Sequence, residues 1–175
     1  GERFYTSFLN VKRLSEYEDN IPITISERLL LTRDIEIGDN VIIKGQFRSY
    51  NGYEDGKNKL DLTVFAKDII FEDDIDEKSK EDEDVNLEVS NEVVLIGHIC
   101  KKPIYRKTPS GREITDLLLA VNREYSKSDY IPAIAWGTNA IICEKLPVGM
   151  KVNVVGRIQS REYEKKFDNG SIEIK

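Results

Sequence analysis

Apolar and polar residues alternate along several short stretches of the chain, and this alternation predicts a mostly β protein. The stretches are residues 3–11, 21–25, 40–50, 60–71, 91–99, 114–121, 130–136 and 150–163. Two short helices are expected between them. One starts at Ser26 as N-cap and runs through LLLTRDI until Gly38; the other starts at Thr138 as N-cap and is stopped by Pro147. Short strands with glycine and proline between them favour small, curved β domains.

The pattern occurs twice. Ile21-Pro22 recurs 110 positions later as Ile131-Pro132. Further pairs at that separation, or at 111 after one insertion, are Gly1 and Gly111, Val11 and Val121, Arg13 and Arg123, Gly38 and Gly149, Val41 and Val152, Gly45 and Gly156, and Ser49 and Ser160. We interpret this as two copies of one fold: copy one, residues 1–71, and copy two, residues 91–175.

The two copies are incomplete at opposite ends. The strand expected at residues 91–99 has no counterpart before Gly1, and copy two stops at Lys175 where copy one continues through VFAKDIIF. We therefore expect copy one to lack its first strand and copy two to lack the end of its last one. Either the natural chain extends beyond both ends, which we favour, or the termini pair in an unusual way.

The net charge of −6 is unevenly distributed. Residues 72–92 contain 11 acidic and 2 basic residues, whereas residues 93–175 contain 9 acidic and 14 basic ones. A stretch with so few apolar residues and so much like charge buries too little surface to order itself, so residues 72–90 are expected to be a flexible acidic linker. Its charge is consistent with a solvated spacer or with a mimic of a nucleic-acid backbone.

The segment YIPAIAW, residues 130–136, carries the candidate chemistry. Side chains alternate along a strand, so Tyr130 and Trp136 share one face. If that face is the core, the two rings only stabilise the fold. If it is open to solvent and flanked by Lys and Arg, it is a stacking platform for bases.

Copy two contains four ordered motifs, NEVVLIGHI, RKTPSGREITDLLLAVNREY, YIPAIAWG and VVGRIQSREYE. With them it resembles the bacterial single-stranded DNA-binding proteins. The resemblance implies an OB-fold, a five-stranded Greek-key barrel with a short helix between its third and fourth strands. Copy one, through IPITISERLL and VIIKGQFRSY, looks like a diverged relative. The whole chain therefore resembles members with two OB-folds, here joined by the acidic linker.

The resemblance also implies which residues bind DNA. The stacking aromatics are expected to be Trp136, Tyr130, Tyr163 and Tyr125. Nearby cations expected to contact phosphates are Arg106, Lys107, Arg112, Arg123, Arg157 and Arg161. In copy one, Ser26 and Asn20 occupy the positions that match Trp136 and Tyr130, so copy one largely lacks the stacking platform. Copy one is expected to give structural support, dimerisation or a peripheral contact through Tyr50, Tyr53 and Arg48.

The remaining features argue against other classes of protein. No apolar run reaches the roughly 20 residues that span a bilayer and no signal peptide opens the chain, so we expect a cytoplasmic, nucleoid-associated protein. Cys100 and Cys143 have no CxxC partner, which favours free thiols over a zinc site or a disulfide. His98, the single histidine, has no catalytic constellation around it. We expect neither enzymatic activity nor a cofactor.

The expected function is sequence-nonspecific binding of single-stranded DNA in replication, recombination or repair. Family members with one OB-fold commonly form tetramers, so a chain with two folds is expected to form a homodimer with four. Replication or repair proteins are expected as further partners. The alternative is an OB-fold adaptor of a primosome or recombination complex that binds DNA weakly.

Overall fold

The computed structural model describes residues 1–74, 91–160, 164–166 and 172–174. Within these ranges the chain is mostly β, as expected. Residues 75–90, which form most of the predicted linker, lie outside the described part, as do Arg161 and Tyr163.

Copy one forms a four-stranded sheet. Its strands are β1 (Phe4–Lys12), β2 (Glu18–Ser26), β3 (Val41–Glu54) and β4 (Lys57–Phe71), in the order β1-β2-β4-β3. β1 pairs antiparallel with β2, and β3 with β4, whereas β2 and β4 are parallel. The close approach of β3 to β4 needs Gly45, which follows a register shift at Lys44: a Cβ at Gly45 would collide with the carbonyl of Phe65.

Copy two forms a five-stranded sheet. Its strands are β5 (Val93–Ile99), β6 (Ile104–Lys107), β7 (Glu113–Asn122), β8 (Ser128–Trp136) and β9 (Lys151–Gly156). They follow the order β6-β7-β5-β9, and β8 pairs with the other edge of β7. A helix α1 (Thr138–Glu144) follows β8. Among the described strands, β10 (Glu164–Lys166) and β11 (Ile172–Ile174) pair with each other in a separate two-stranded sheet.

The repeat seen in the sequence is also present in the strand register. Phe4 lies opposite Ser26 in copy one, and Ile114 lies opposite Trp136 in copy two, with all four positions matching at a separation of 110. The same register continues through all nine pairs of each hairpin. The β1–β2 hairpin of copy one and the β7–β8 hairpin of copy two are therefore the same structural unit.

Each copy has an apolar core, and the two cores adjoin. The core of copy one is built from Ile23, Ile25, Ala66, Ile69 and Phe71, and that of copy two from Leu95, Ile99, Leu117, Leu119 and Ile131. Phe47 and Leu62 of copy one pack against the core of copy two. Burial of these side chains thus contributes to holding the copies together.

The first helix is shorter than predicted. Ser26 is its N-cap, with Oγ accepting from the N–H of Arg28 at 3.2 Å, but the segment is a 3₁₀ helix that ends at Leu30. Continued α-helix would direct Arg33 and Asp34, three and four residues after Leu30, toward the core. The irregular path instead brings Ile35 against it.

The second helix begins one residue earlier than expected, because Thr138 was predicted to be its N-cap. Thr138 is its first helical residue, and the cap position is Gly137, at φ 60° and without a capping side chain. Its positive φ is a conformation that favours glycine. The prediction that α1 ends before Pro147 is confirmed.

The strand expected at residues 150–163 ends at Gly156. The side-chain amide of Asn91 then bonds both backbone groups of Ile158: it donates to the carbonyl at 2.7 Å and accepts from the N–H at 3.1 Å. A side chain thus takes the place of a strand partner, and the ladder stops. The hydrophobic pattern did not reveal β6, because this strand is only four residues long and follows Pro103 closely.

Candidate nucleic-acid interface

The two aromatic rings of β8 face solvent. Asp129 and Ile131 point inward and are buried, whereas Tyr130 and Trp136 point outward with 46% and 45% of their surface exposed. This is the period-two alternation of a strand with one solvated face. The alternative that Tyr130 and Trp136 are core residues is therefore excluded.

The rings stand at opposite ends of the strand. Six residues of extended chain separate Tyr130 from Trp136 by roughly 20 Å. On β7, Ala120 lies directly opposite Tyr130, and the buried Ile114 lies opposite Trp136. The rings are too far apart to stack on each other, so each offers its own surface to a ligand.

Tyr125 lies in the loop between β7 and β8 and is 91% exposed. It has a φ of 62°, and Ser126 follows with 59°, so two successive residues with a Cβ adopt the left-handed conformation. The N–H of Arg123 donates to the carbonyl of Lys127 at 2.7 Å and closes the loop. The tight loop holds the Tyr125 ring out in solvent, near the Tyr130 end of the hairpin.

Three of the predicted phosphate ligands lie together around the β6–β7 hairpin. Arg106 is directly opposite Ile114, on the same face as Trp136, and its Nε lies 2.9 Å from Asp116. This exposed pair raises the pKa of Arg106, chiefly through the side-chain hydrogen bond. Lys107 and Arg112 flank the turn that joins the strands, and both are exposed.

Two other predicted ligands lie where the copies meet. The Nε of Arg123 is 3.0 Å from the carboxylate of Asp129, which is buried. With the side-chain amide of Gln159 turned so that its oxygen faces the guanidinium, Nε and Nη2 of Arg157 both donate to that oxygen at 2.8 Å. It also lies close enough to Asp19 to help lower the pKa of that residue. The structure therefore separates Arg123 and Arg157 from the cations beside Trp136.

The backbone of β8 is held by copy one at Tyr130. Its N–H donates to Oγ of Ser49 at 2.7 Å, and the N–H of Ser49 donates to Oδ1 of Asp129 at 2.9 Å. Sequence reasoning missed this contact. The signal was present in the repeat, because Ser49 aligns with Ser160 and Asp129 lies 110 positions after Asp19.

Comparison with known proteins identifies the family. Residues 90–174 match the single-strand binding protein family. The single-stranded DNA-binding protein of Clostridium tetani is 40% identical over 83 residues, or 43% of this chain and 57% of that protein. The single-stranded DNA-binding protein B of Bacillus subtilis is 36% identical over 84 residues, which cover 42% of this chain and 72% of that protein. The chain belongs to the single-strand binding protein family.

This chain spans little more than half the length of the first relatives, 57% of that from C. tetani. The fold likeness extends further. The wild-type single-stranded DNA binding protein from Thermus aquaticus has a TM-score of 0.59 at 20% identity, covering 94% of this chain and 73% of that one. A deletion variant of the same protein has a TM-score of 0.60 at 22% sequence identity. At such identities the likeness concerns the fold alone.

Within the described residues, no helix is long and apolar enough to cross a bilayer. Those residues also contain no group of three or more His, Cys, Asp or Glu side chains arranged to hold a metal ion. Cys100 and Cys143 are free thiols, and burial raises the pKa of Cys143.

Proposed function

We propose that this chain binds single-stranded DNA without sequence preference, by stacking bases on aromatic rings and neutralising phosphates with Lys and Arg. The observation that carries the proposal is the exposure of Tyr130 and Trp136 on one face of β8. Every base has a flat π face, so such a platform accepts any sequence. The names of the relatives in its family support the same ligand.

The described cations extend the platform to the phosphate backbone. Arg106 lies on the same face as Trp136, and Lys107 and Arg112 flank the turn of the same hairpin, so these three cations are the first phosphate contacts. Asp116 competes with a phosphate for Arg106, but the pair is exposed and therefore weak. Arg123 and Arg157 are secondary contacts at the junction between the copies. Tyr163 and Arg161 complete the set as proposals from the family resemblance.

The architecture proposed for this activity is a pair of OB-folds joined through the acidic segment 72–90. The common hairpin register of the two copies and the fold likeness over 94% of the chain support it. We place the protein in the cytoplasm with the nucleoid, in DNA replication, recombination or repair. Proteins of those processes are its further partners.

We also propose that the chain forms a homodimer. Val94 and Val155 lie directly opposite each other on β5 and β9, and Ile96 stands two residues along the same face. All three are more than half exposed. Covering this apolar strip with the same strip of a second copy removes it from water on both chains at once.

Fluorescence anisotropy of labelled oligo-dT tests the proposed function. Binding to oligo-dT and to a mixed-sequence strand should be comparable, and duplex of the same length should bind much more weakly. The logarithm of affinity should fall with the logarithm of salt by about 0.7 for each phosphate contacted. Weak binding even at low salt would contradict the proposal and favour the adaptor.

A further inference from the structure

Two hydrogen bonds from Ser49 of copy one hold the β8 backbone at the residue that carries the Tyr130 ring. The N–H of Ser49 donates to Oδ1 of Asp129 at 2.9 Å, and its Oγ accepts from the N–H of Tyr130 at 2.7 Å. Ser49 and Asp129 are 6% and 2% exposed, so little water competes for these bonds. One residue of β3 thus bonds two successive residues of β8, once as donor and once as acceptor.

The N–H of Tyr130 has no strand partner in copy two. Among the described strands, β8 pairs only with β7. In an antiparallel pair, successive N–H groups point alternately toward the partner strand and away from it. Because the N–H of Tyr130 bonds Ser49, it points away from β7 and from Ala120, the residue opposite. Copy one therefore supplies an acceptor that the sheet of copy two does not.

The Tyr130 ring depends on this backbone for its direction. The side chain opposite it on β7 is that of Ala120, which offers only a methyl group for packing. The hydroxyl of Tyr130 makes no hydrogen bond with a residue that the structure describes, and 46% of the residue is exposed. The rotamers open to a side chain depend on φ and ψ of its own residue. The backbone at Tyr130 thus sets the direction in which the ring projects.

The chain contains a matched contact that has no platform ring. Ser160 bonds Asp19 and the N–H of Asn20 at 2.9 and 2.7 Å, which are also the distances at Ser49. Asn20 holds the position of Tyr130 in the repeat. Both contacts join the copies, but only the one at Ser49 bonds a residue of the platform. An effect on DNA binding can therefore be separated from the joining of the copies.

We propose that Ser49 of copy one is a positioning residue for DNA binding by copy two, an inference that rests on the proposed function. Its hydroxyl holds the N–H of Tyr130 and thereby keeps the ring directed toward a bound base. Ser49 acts through Tyr130 and not through a contact of its own with DNA, because it is buried. Copy two then reaches its full affinity only while copy one is packed against it.

Three serine variants test this role. Ser49→Ala removes the hydroxyl and keeps the N–H that donates to Asp129. Ser49→Thr keeps both groups. Ser160→Ala is the matched control, because it removes the same bond at Asn20 without a change of charge. Affinity for labelled oligo-dT is measured by fluorescence anisotropy, at a temperature where circular dichroism shows that every variant is folded.

We expect Ser49→Ala to weaken the binding of oligo-dT by roughly two- to five-fold. This is no more than the loss in Tyr130→Ala, which removes one stack and should weaken binding by at least about five-fold. Ser49→Thr and Ser160→Ala should bind as the unaltered chain does. Quenching of Trp136 at saturation should be unchanged in Ser49→Ala, because that ring lies roughly 20 Å along the strand.

Tyr130→Ala also closes a double-mutant cycle with Ser49→Ala. If Ser49 acts through the ring, its substitution changes affinity only while the ring is present. Adding Ser49→Ala to Tyr130→Ala should therefore change the affinity little. A loss that persists in full without the ring would overturn the positioning role, because Ser49 would then act elsewhere.

Other outcomes would also overturn it. These are unchanged affinity in Ser49→Ala, an equal loss in Ser160→Ala, or a loss in Ser49→Thr as large as that in Ser49→Ala. All of them leave the proposed function standing as long as Tyr130→Ala and Trp136→Ala weaken binding. Full affinity in both ring variants would overturn the proposed function and the role of Ser49 together.

Discussion

Asp19 and Asp129 hold the same position in the two copies, and each accepts a hydrogen bond from a serine N–H of the other copy. Ser160 donates to Oδ1 of Asp19, and Ser49 donates to Oδ1 of Asp129, both at 2.9 Å. The serine hydroxyls also accept hydrogen bonds from the residue that follows each aspartate. Oγ of Ser160 accepts from the N–H of Asn20, and Oγ of Ser49 accepts from the N–H of Tyr130, both at 2.7 Å. The contact between the copies therefore has approximate two-fold symmetry.

An arginine completes each half of this contact. Arg13 bonds Asp19 through Nη2 and Nε at 2.7 and 2.9 Å, and Arg123 approaches Asp129 to 3.0 Å. Both aspartates are fully buried. A buried carboxylate needs its partners, because an unpaired charge in the interior is costly. The same Asp, Arg and Ser occur in both copies and contribute to the contact between them, and the N–H of Tyr130 takes part in it.

Removing either aspartate should destabilise the whole chain. We expect Asp19→Ala and Asp129→Ala each to lower the free energy of unfolding by about 3 kcal/mol, because an arginine and a serine N–H lose their partner. Asp116→Ala is the control, since its pair with Arg106 is exposed and contributes at most about 1 kcal/mol. Urea unfolding monitored by circular dichroism measures all three. Equal losses at Asp116 and Asp19 would contradict the assignment.

Removing either serine hydroxyl should weaken the junction, and Ser49 should matter more. In Ser49→Ala the N–H of Tyr130 loses its acceptor in a partly buried bond, which costs about 1–3 kcal/mol. The bond of Asn20 to Ser160 is exposed, so water can replace the hydroxyl and Ser160→Ala should cost less. The same unfolding measurement should show this order, and Ser110→Ala, in an exposed turn, should lose almost nothing. A larger loss in Ser160→Ala than in Ser49→Ala would contradict it.

Acid should weaken the junction through Asp19. The side-chain hydrogen bond with Arg13 is the largest cause that lowers the pKa of Asp19, and the N–H of Ser160 adds to it. A lowered pKa favours folding above the ordinary carboxyl value of about 3.9, and this contribution is lost as pH falls through the lowered pKa. Unfolding free energies measured between pH 6 and 3 should fall less steeply in Asp19→Asn. If the unfolding free energies of the unaltered chain and of Asp19→Asn fall in parallel with pH, this role of Asp19 is contradicted.

The dimer should depend on the apolar strip of β5 and β9. Val94→Lys and Val155→Lys place a charge where a second copy would pack, so light scattering should show a monomer at micromolar concentration. Val148→Lys is the control, because that side chain is similarly exposed in a loop. The strip would be refuted as the dimer contact if the unaltered chain is already a monomer. It would also be refuted if the chain that carries both Val94→Lys and Val155→Lys is still a dimer.

Much of this arrangement was predictable from the sequence. The repeat at 110 residues gave the common hairpin, and alternation along residues 130–136 put Tyr130 and Trp136 on one face. Alternation could not say which face was solvated, because that depends on which strands cover it. The contacts of Ser49 with Asp129 and of Ser160 with Asp19 join residues that are 80 and 141 positions apart, which a local pattern does not relate.

Quenching of tryptophan fluorescence by oligo-dT tests the central claim most directly, because Trp136 is the only tryptophan. If it stacks on bases, its emission should fall saturably as oligo-dT is added. Trp136→Ala, followed with a labelled strand, should lose roughly 1–3 kcal/mol of binding free energy, whereas Ser26→Ala at the matching position of copy one should lose almost none. Emission that does not change while the strand binds, or a Trp136→Ala variant with full affinity, would contradict the platform.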